Sequence, residues 1–162
     1  MWGKRRKEMV EAGVRAPVFT LKNLQGGTTS LDDLLARGPA LLAFFKISCP
    51  VCQLAFPFLE RMAHRDGVRI VGISQDDAEA TRFFNQKFGI TFPTLLDEAG
   101  QHYPASNAYG LTSVPSLVLV EADGSVSKSI MGFSKRDMEA LGERIGAPPF
   151  RPEEKVPEWK AG

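Results

Sequence analysis

Hydrophobic and polar positions along this chain switch between strict alternation, unbroken apolar runs and a helical stripe, and each switch marks a change of element. Val18-Phe19-Thr20-Leu21 alternates and runs into Asn23 to Gly27, which predicts a strand and a turn leading to Thr28-Thr29. Ser30 caps a short helix over Leu31 to Leu35, with Asp33 at its third position, and Gly38-Pro39 stops it. The run Ala40 to Phe45 contains no polar residue, the pattern of a strand buried on both faces. A helix from Cys49 to about Arg65 follows, with Pro57 in its interior, where proline removes a hydrogen bond and bends the axis. Val68 to Ser74 is the next strand. Asp76 followed by Glu79 signals the cap of a helix whose Ala80, Phe84 and Phe88 share one stripe, with Phe83 beside it and Gly89 at its end. Thr94 to Leu96 is a short strand, 101–109 a short helix stopped by Gly110, and Ser116 to Val120 a buried strand. Ala122-Asp123-Gly124-Ser125 makes a hairpin turn from which Val126 to Met131 pairs back antiparallel. Ser134 with Asp137 caps a last helix that Gly146 terminates.

This order of elements predicts an α/β fold of three layers, a central mixed sheet with helices on both faces and right-handed crossovers. Active residues belong at the carboxyl end of the strand over 40–45. With 162 residues and 43% hydrophobic content the chain supports one domain with a substantial core. We place an N-terminal arm at 1–16, the domain at 17–146 and a tail with four prolines at 147–162. Phe150 and Trp159 of that tail either dock on the domain or travel with a free segment.

Charge removes whole classes of function. Twenty basic against nineteen acidic residues leave a net charge of +1, so no global field draws nucleic acid or an acidic membrane. Lys4-Arg5-Arg6-Lys7 is a short local exception without interleaved aromatics, read as a solvated arm. Glu8 to Gly13 after it lacks the apolar stretch of a secretory signal, and no run is long enough to span a bilayer. The expectation is a monomer in the cytoplasm, or in the periplasm if a leader precedes it, with no nucleic-acid or membrane partner.

Cys49 and Cys52 are the only cysteines, and they stand where the buried strand hands over to a helix. At a helix start, residues three apart lie on one face, within the Cα reach of about 4.4–6.8 Å that a disulfide needs. Unpaired N–H groups and the positive end of the helix dipole favour the thiolate there, and Pro50 suits the first turn because its missing N–H leaves no bond unmade. A zinc site needs four ligands and the chain adds only His64 and His102, so no metal is expected. A structural disulfide closing so short a loop stabilises little. The pair is therefore read as a redox-active dithiol with no other cofactor. Lys46, three residues before Cys49, either approaches the sulfur and stabilises its thiolate or points into solvent.

These features together resemble the thioredoxin-like superfamily over roughly residues 17–146, most closely its TlpA-like thiol-disulfide oxidoreductases and the adjoining redoxin, or AhpC/TSA, group. Pro57 stands five residues after Cys52, where this superfamily kinks its active-site helix. Tyr109 to Ser116 is similar to the superfamily's cis-proline loop, with Val114-Pro115 as its bond, and Gly132 sits where the family has a glycine beside the substrate groove. The helix-strand unit between about 76 and 97 resembles the insertion of the TlpA-like and redoxin branches. The resemblance implies a thioredoxin-like fold with an N-terminal hairpin, and thiol-disulfide exchange with protein or small-molecule disulfides and a thiol redox partner. Cys49 would be the nucleophile and Cys52 the resolving thiol, with Pro50, Val51, Val114, Pro115 and Gly132 against the substrate.

The departures concern proton traffic. Thioredoxin's buried aspartate has Ala43 at its position, the TlpA-like glutamate has Ala55, and the two tryptophans before the first cysteine become Phe45 and Ser48. Peroxiredoxins share the fold and give the rival assignment, an antioxidant thiol peroxidase. Their threonine and proline, three and seven residues before the peroxidatic cysteine, have Lys46 and Leu42 as counterparts relative to Cys49, and Cys49 and Phe45 relative to Cys52. A non-catalytic interaction module is the third possibility.

Overall fold

The unbroken apolar run becomes an interior strand of a seven-stranded sheet. In this computed structural model, which describes residues 8–162, β3 (Ala40–Phe45) is buried along its whole length. It lies between β4 (Arg69–Ser74), parallel to it, and β6 (Ser116–Val120), antiparallel. A strand with neighbours on both edges and helices over its faces meets no water, which is why it has no polar residue. Outward from β4 come β5 (Thr94–Leu96), then β1 (Thr20–Asn23) and β2 (Thr28–Ser30) as an antiparallel hairpin; outward from β6 comes β7 (Val126–Met131). The order is β2-β1-β5-β4-β3-β6-β7.

Successive side chains of β3 point to opposite faces, and its two phenylalanines organise one face each. Phe45 packs on Phe56 of α2 (Pro50–Met62) at 4.3 Å and on Phe84 of α3 (Ala78–Phe88) at 4.9 Å between ring centroids. Phe44 meets Tyr109, just past α4 (Pro104–Ala108), at 5.4 Å. The buried Tyr109 hydroxyl donates to the Pro17 carbonyl at 2.8 Å, and burial pushes its phenol above the usual range. Two local caps follow from sequence. Ser30 and Asp33 form a reciprocal capping box on α1 (Leu31–Leu35), and Ser134 accepts from the Asp137 N–H at the start of α5 (Lys135–Ile145).

Three expectations are corrected. Helix α2 ends at Met62 rather than near Arg65, because Ala63 is extended and His64 turns left-handed at φ +64°. The cap of α3 is Asp77, whose carboxylate accepts from the Ala80 N–H at 2.9 Å; Asp76 is engaged elsewhere. The strand predicted from Val18 starts at Thr20.

The described part of the N-terminal segment and the tail are both bound to the domain. Residues 10–16 run beside the β6–β7 hairpin, with Gly13 N–H on the Val126 carbonyl and Val126 N–H on that of Val14, both at 2.8 Å. This covers an edge that would otherwise offer unpaired backbone groups. The basic cluster at 4–7 lies outside the described residues. In the tail, Phe150 packs edge-on against Phe58 at 4.8 Å, and Arg61 makes a bidentate pair with Glu154 at 2.6 and 2.8 Å. That guanidinium holds the Glu154 carboxyl down to about 2. A two-residue strand, β9 (Trp159–Lys160), then pairs antiparallel with β8 (Phe133–Ser134).

Candidate active site

The parallel strands β3 and β4 end side by side, Phe45 level with Ser74, and the site is built on what leaves them. Residues 46–48 turn the chain from β3 into α2, and Cys49 is the N-cap, with non-helical φ −85° and ψ 112°. Its sulfur takes the place usually held by a capping oxygen and accepts from the Cys52 N–H at 3.1 Å. The Cys49 thiol also reaches the Val114 carbonyl oxygen at 3.4 Å. Val114–Pro115 is a cis peptide bond, as the resemblance implied.

The two thiols are free in this structure, and their surroundings differ sharply. Cys49 is half-exposed at the helix start, whereas Cys52 has 0% exposure, one turn inside. Burial pushes the Cys52 thiol far above its usual range, helped by the hydrogen bond with Cys49 and the negative charges of Cys49 and Asp76; a main-chain hydrogen bond from Lys46 opposes the shift. The positions that lack their carboxylates, Ala43 and Ala55, are both buried in the core.

Asp76 is the residue that sequence reasoning missed. Two consecutive aspartates before α3 both match a cap, and the local pattern favours the first. In the fold Asp77 takes that role, and Asp76 turns its carboxylate onto the Ile47 N–H at 2.8 Å, with its own N–H on Ser74 Oγ at 3.1 Å. An acid therefore does bear on the pair, although positions 43 and 55 offer none. The signal that could have found it is the parallel pairing of β3 and β4, which sets the exit from one strand beside the exit from the other. Gln53 adds a second tie to the same turn, donating to the Ile47 carbonyl at 2.9 Å.

The other named residues fall as follows. Pro50 occupies the first helical position and is exposed; Val51 is partly buried beside it. Gly132 lies at the end of β7, left-handed at φ +75°, with its N–H on the Pro115 carbonyl at 2.8 Å. Lys46 is exposed, and its carbonyl accepts from the Cys49 N–H at 3.3 Å. His64 and His102 are exposed and left-handed, each just past the end of a helix. Among the described residues no three His, Cys, Asp or Glu side chains form a metal cluster.

The AhpC/TSA family model matches residues 12–129, most of the domain and both cysteines. The chain belongs to the AhpC/TSA family. Thiol-disulfide oxidoreductase ResA of Geobacillus thermodenitrificans is 30% identical over 144 residues, covering 86% of this chain and 80% of that one. ResA of Bacillus subtilis is 29% identical over 136 residues, 82% and 74% of the two chains. Among solved structures, a secreted Mycobacterium tuberculosis disulfide oxidoreductase homologous to Escherichia coli DsbE superposes with a TM-score of 0.65 at 27% identity, covering 79% and 94%. The fold of this AhpC/TSA chain is thioredoxin-like, and its activity is that of a thiol-disulfide oxidoreductase; the comparisons give the peroxidase assignment no better support.

Proposed function

We propose that Cys49 is the exchanging sulfur and Cys52 the resolving one. The Cys49 thiolate attacks one sulfur of a substrate disulfide, forming a mixed disulfide and releasing the other sulfur as a thiolate that takes up a proton. Cys52 then loses its proton and attacks the Cys49 sulfur. The Cys49–Cys52 disulfide forms, the second substrate sulfur leaves as a thiol, and two electrons have passed to the substrate. Run backwards, the same steps oxidise a dithiol; either direction needs a thiol redox partner to reset the pair.

The observation that carries this assignment is the asymmetry of the pair: Cys49 caps the helix at the surface and accepts an N–H, while Cys52 is enclosed. The raised Cys52 thiol suits a resolving role, since it stays protonated until a mixed disulfide stands beside it. Asp76 acts as a positioning residue, holding the turn that carries Cys49 through the Ile47 N–H. Pro50, Val51, Val114, Pro115 and Gly132 form the substrate wall, where the Val114 main chain receives an extended strand by β-addition.

Protein or small-molecule disulfides are the substrates we propose, with the chain acting as a monomer. Among the described residues no helix is long and apolar enough to cross a membrane. The secreted M. tuberculosis relative supports an extracytoplasmic setting, and the expectation of a cytoplasmic one gains no such support. The test is a trap. Cys52→Ser mixed with a peptide disulfide should accumulate a mixed disulfide at Cys49, seen by mass spectrometry, and Cys49→Ser should accumulate none. A mixed disulfide in the Cys49→Ser chain would reverse the roles.

A further inference from the structure

The tail divides into two unlike halves. Residues 149–156 are clamped: Arg61 holds Glu154 with both nitrogens and the Pro149 carbonyl at 3.0 Å, and Phe150 and Val156 pack on the core cluster. From Glu158 onward every residue is exposed, Trp159 to 61%, and the segment is held mainly by its backbone. Lys135 N–H bonds to the Glu158 carbonyl at 2.9 Å, and Ser134 and Phe133 pair with Trp159 and Lys160. The Lys135–Glu158 ion pair at 3.8 Å, with Glu158 85% exposed, adds little in water.

Where this half goes matters more than how it is held. Beyond β9 the chain crosses Gly132 so closely that a Cβ there would stand 2.5 Å from the Lys160 carbonyl oxygen. At Gly162 a Cβ would stand 2.2 Å from the Val114 carbonyl oxygen and 3.3 Å from the Pro115 nitrogen. The same Val114 oxygen lies 3.4 Å from the Cys49 sulfur. The exposed half of the tail thus runs as an extended strand over Gly132, Val114 and Pro115. A glycine on each side permits the contact.

We propose that residues 158–162 occupy the substrate groove of their own active site, as a self-held strand that an extended peptide disulfide must displace before Cys49 can attack it. This rests on the exchange assignment above, in which the Val114 main chain receives the substrate. It follows that the tail discriminates between substrates. A small disulfide needs only the Cys49 sulfur, whereas an extended polypeptide needs the space beside the Val114 main chain that the tail already fills. A strand seated in about nine molecules of ten weakens the apparent affinity for such a peptide about tenfold. The clamp at Arg61 and Glu154 keeps the displaced strand close, so it returns when product leaves.

The test compares three chains: the parent, a chain lacking everything from Glu158 onward, and Gly162→Leu, whose side chain collides with Val114. Each is assayed with an extended peptide disulfide and with the small aromatic disulfide 5,5′-dithiobis(2-nitrobenzoic acid). Both variants should raise kcat/KM for the peptide about tenfold, through KM, and change the small-disulfide rate less than about twofold. Equal peptide rates in all three chains would overturn the self-occupancy while leaving the exchange assignment intact. A rise of equal size for both disulfides would also overturn it, since the tail would then be a general cover of the sulfur. Absence of peptide turnover in all three would remove the exchange assignment, and the proposal with it.

Discussion

Cys49 and Cys52 stand one helical turn apart, in two regions that share almost no physical properties. Around Cys52 the packing is that of a protein interior: Phe45, Phe56 and Phe84 interlock beneath α2, Ala55 is buried beside them, and charge is expelled. Around Cys49 the structure is made of backbone ends, namely the first turn of α2, the Val114 carbonyl and the exposed strand from Glu158. Within one helix the floor denies Cys52 a charge, and the lip supplies Cys49 with an N–H and an open side. A two-sulfur exchange needs this difference, because one sulfur must meet the substrate and the other must wait.

The largest way to break the comparison is to open the floor. Phe45→Ala removes a fully buried ring that touches α2 and α3 and should cost about 3–5 kcal/mol in urea unfolding. In the fraction that stays folded, Cys49 should remain the sulfur that alkylates first. Loss of that order would mean that the lip depends on the floor more closely than the packing implies.

Next comes the pH dependence of the enclosed thiol. Cys52 holds its proton more tightly in the folded chain than in the unfolded one, so this contribution to stability is complete below the ordinary thiol pKa near 9 and is lost as pH rises above it. The slope is at most about 1.4 kcal/mol per pH unit. Cys52→Ala lacks the group and keeps Tyr109, whose raised phenol gives a decline of the same sign. Above pH ~9 the reduced parent should therefore lose stability faster than the variant. Parallel curves would show that Cys52 is not enclosed.

A smaller effect sharpens the boundary between the regions. Asp76→Asn keeps an oxygen for the Ile47 N–H and removes the negative charge. In a Cys49→Ser background, the pH midpoint of the Cys52 thiolate's ultraviolet absorbance should fall, by less than burial raises it, since burial is the leading cause of the shift. An unmoved midpoint would leave Asp76 a purely mechanical tie. The smallest effect belongs to Lys46→Ala. Its side chain is exposed, so the Cys49 alkylation rate should change less than about twofold.

What the sequence made legible divides along the same boundary. The strands β3, β6 and β7, the capping box of α1 and the cysteines at a helix start are set by residues close in sequence, and pattern alone found them. Cys49 and Pro50 announce their own geometry. Asp76 does not, because its partner Ile47 is 29 residues away and Asp77 satisfies the same local rule. The tail was equally opaque. Arg61 and Glu154 are 93 residues apart, and four prolines describe a chain that is extended without saying what it lies on. Local chemistry was readable, whereas the contacts that tune it depend on which chain ends the fold brings together.

The central claim is the asymmetry of the two sulfurs, and one measurement addresses it directly. The reduced protein is pulsed with substoichiometric iodoacetamide at neutral pH, quenched and digested, and the label is mapped to each cysteine. Cys49 should carry nearly all of the label at short times, with Cys52 labelled only on unfolding. Equal labelling, or Cys52 labelled first, would contradict the account.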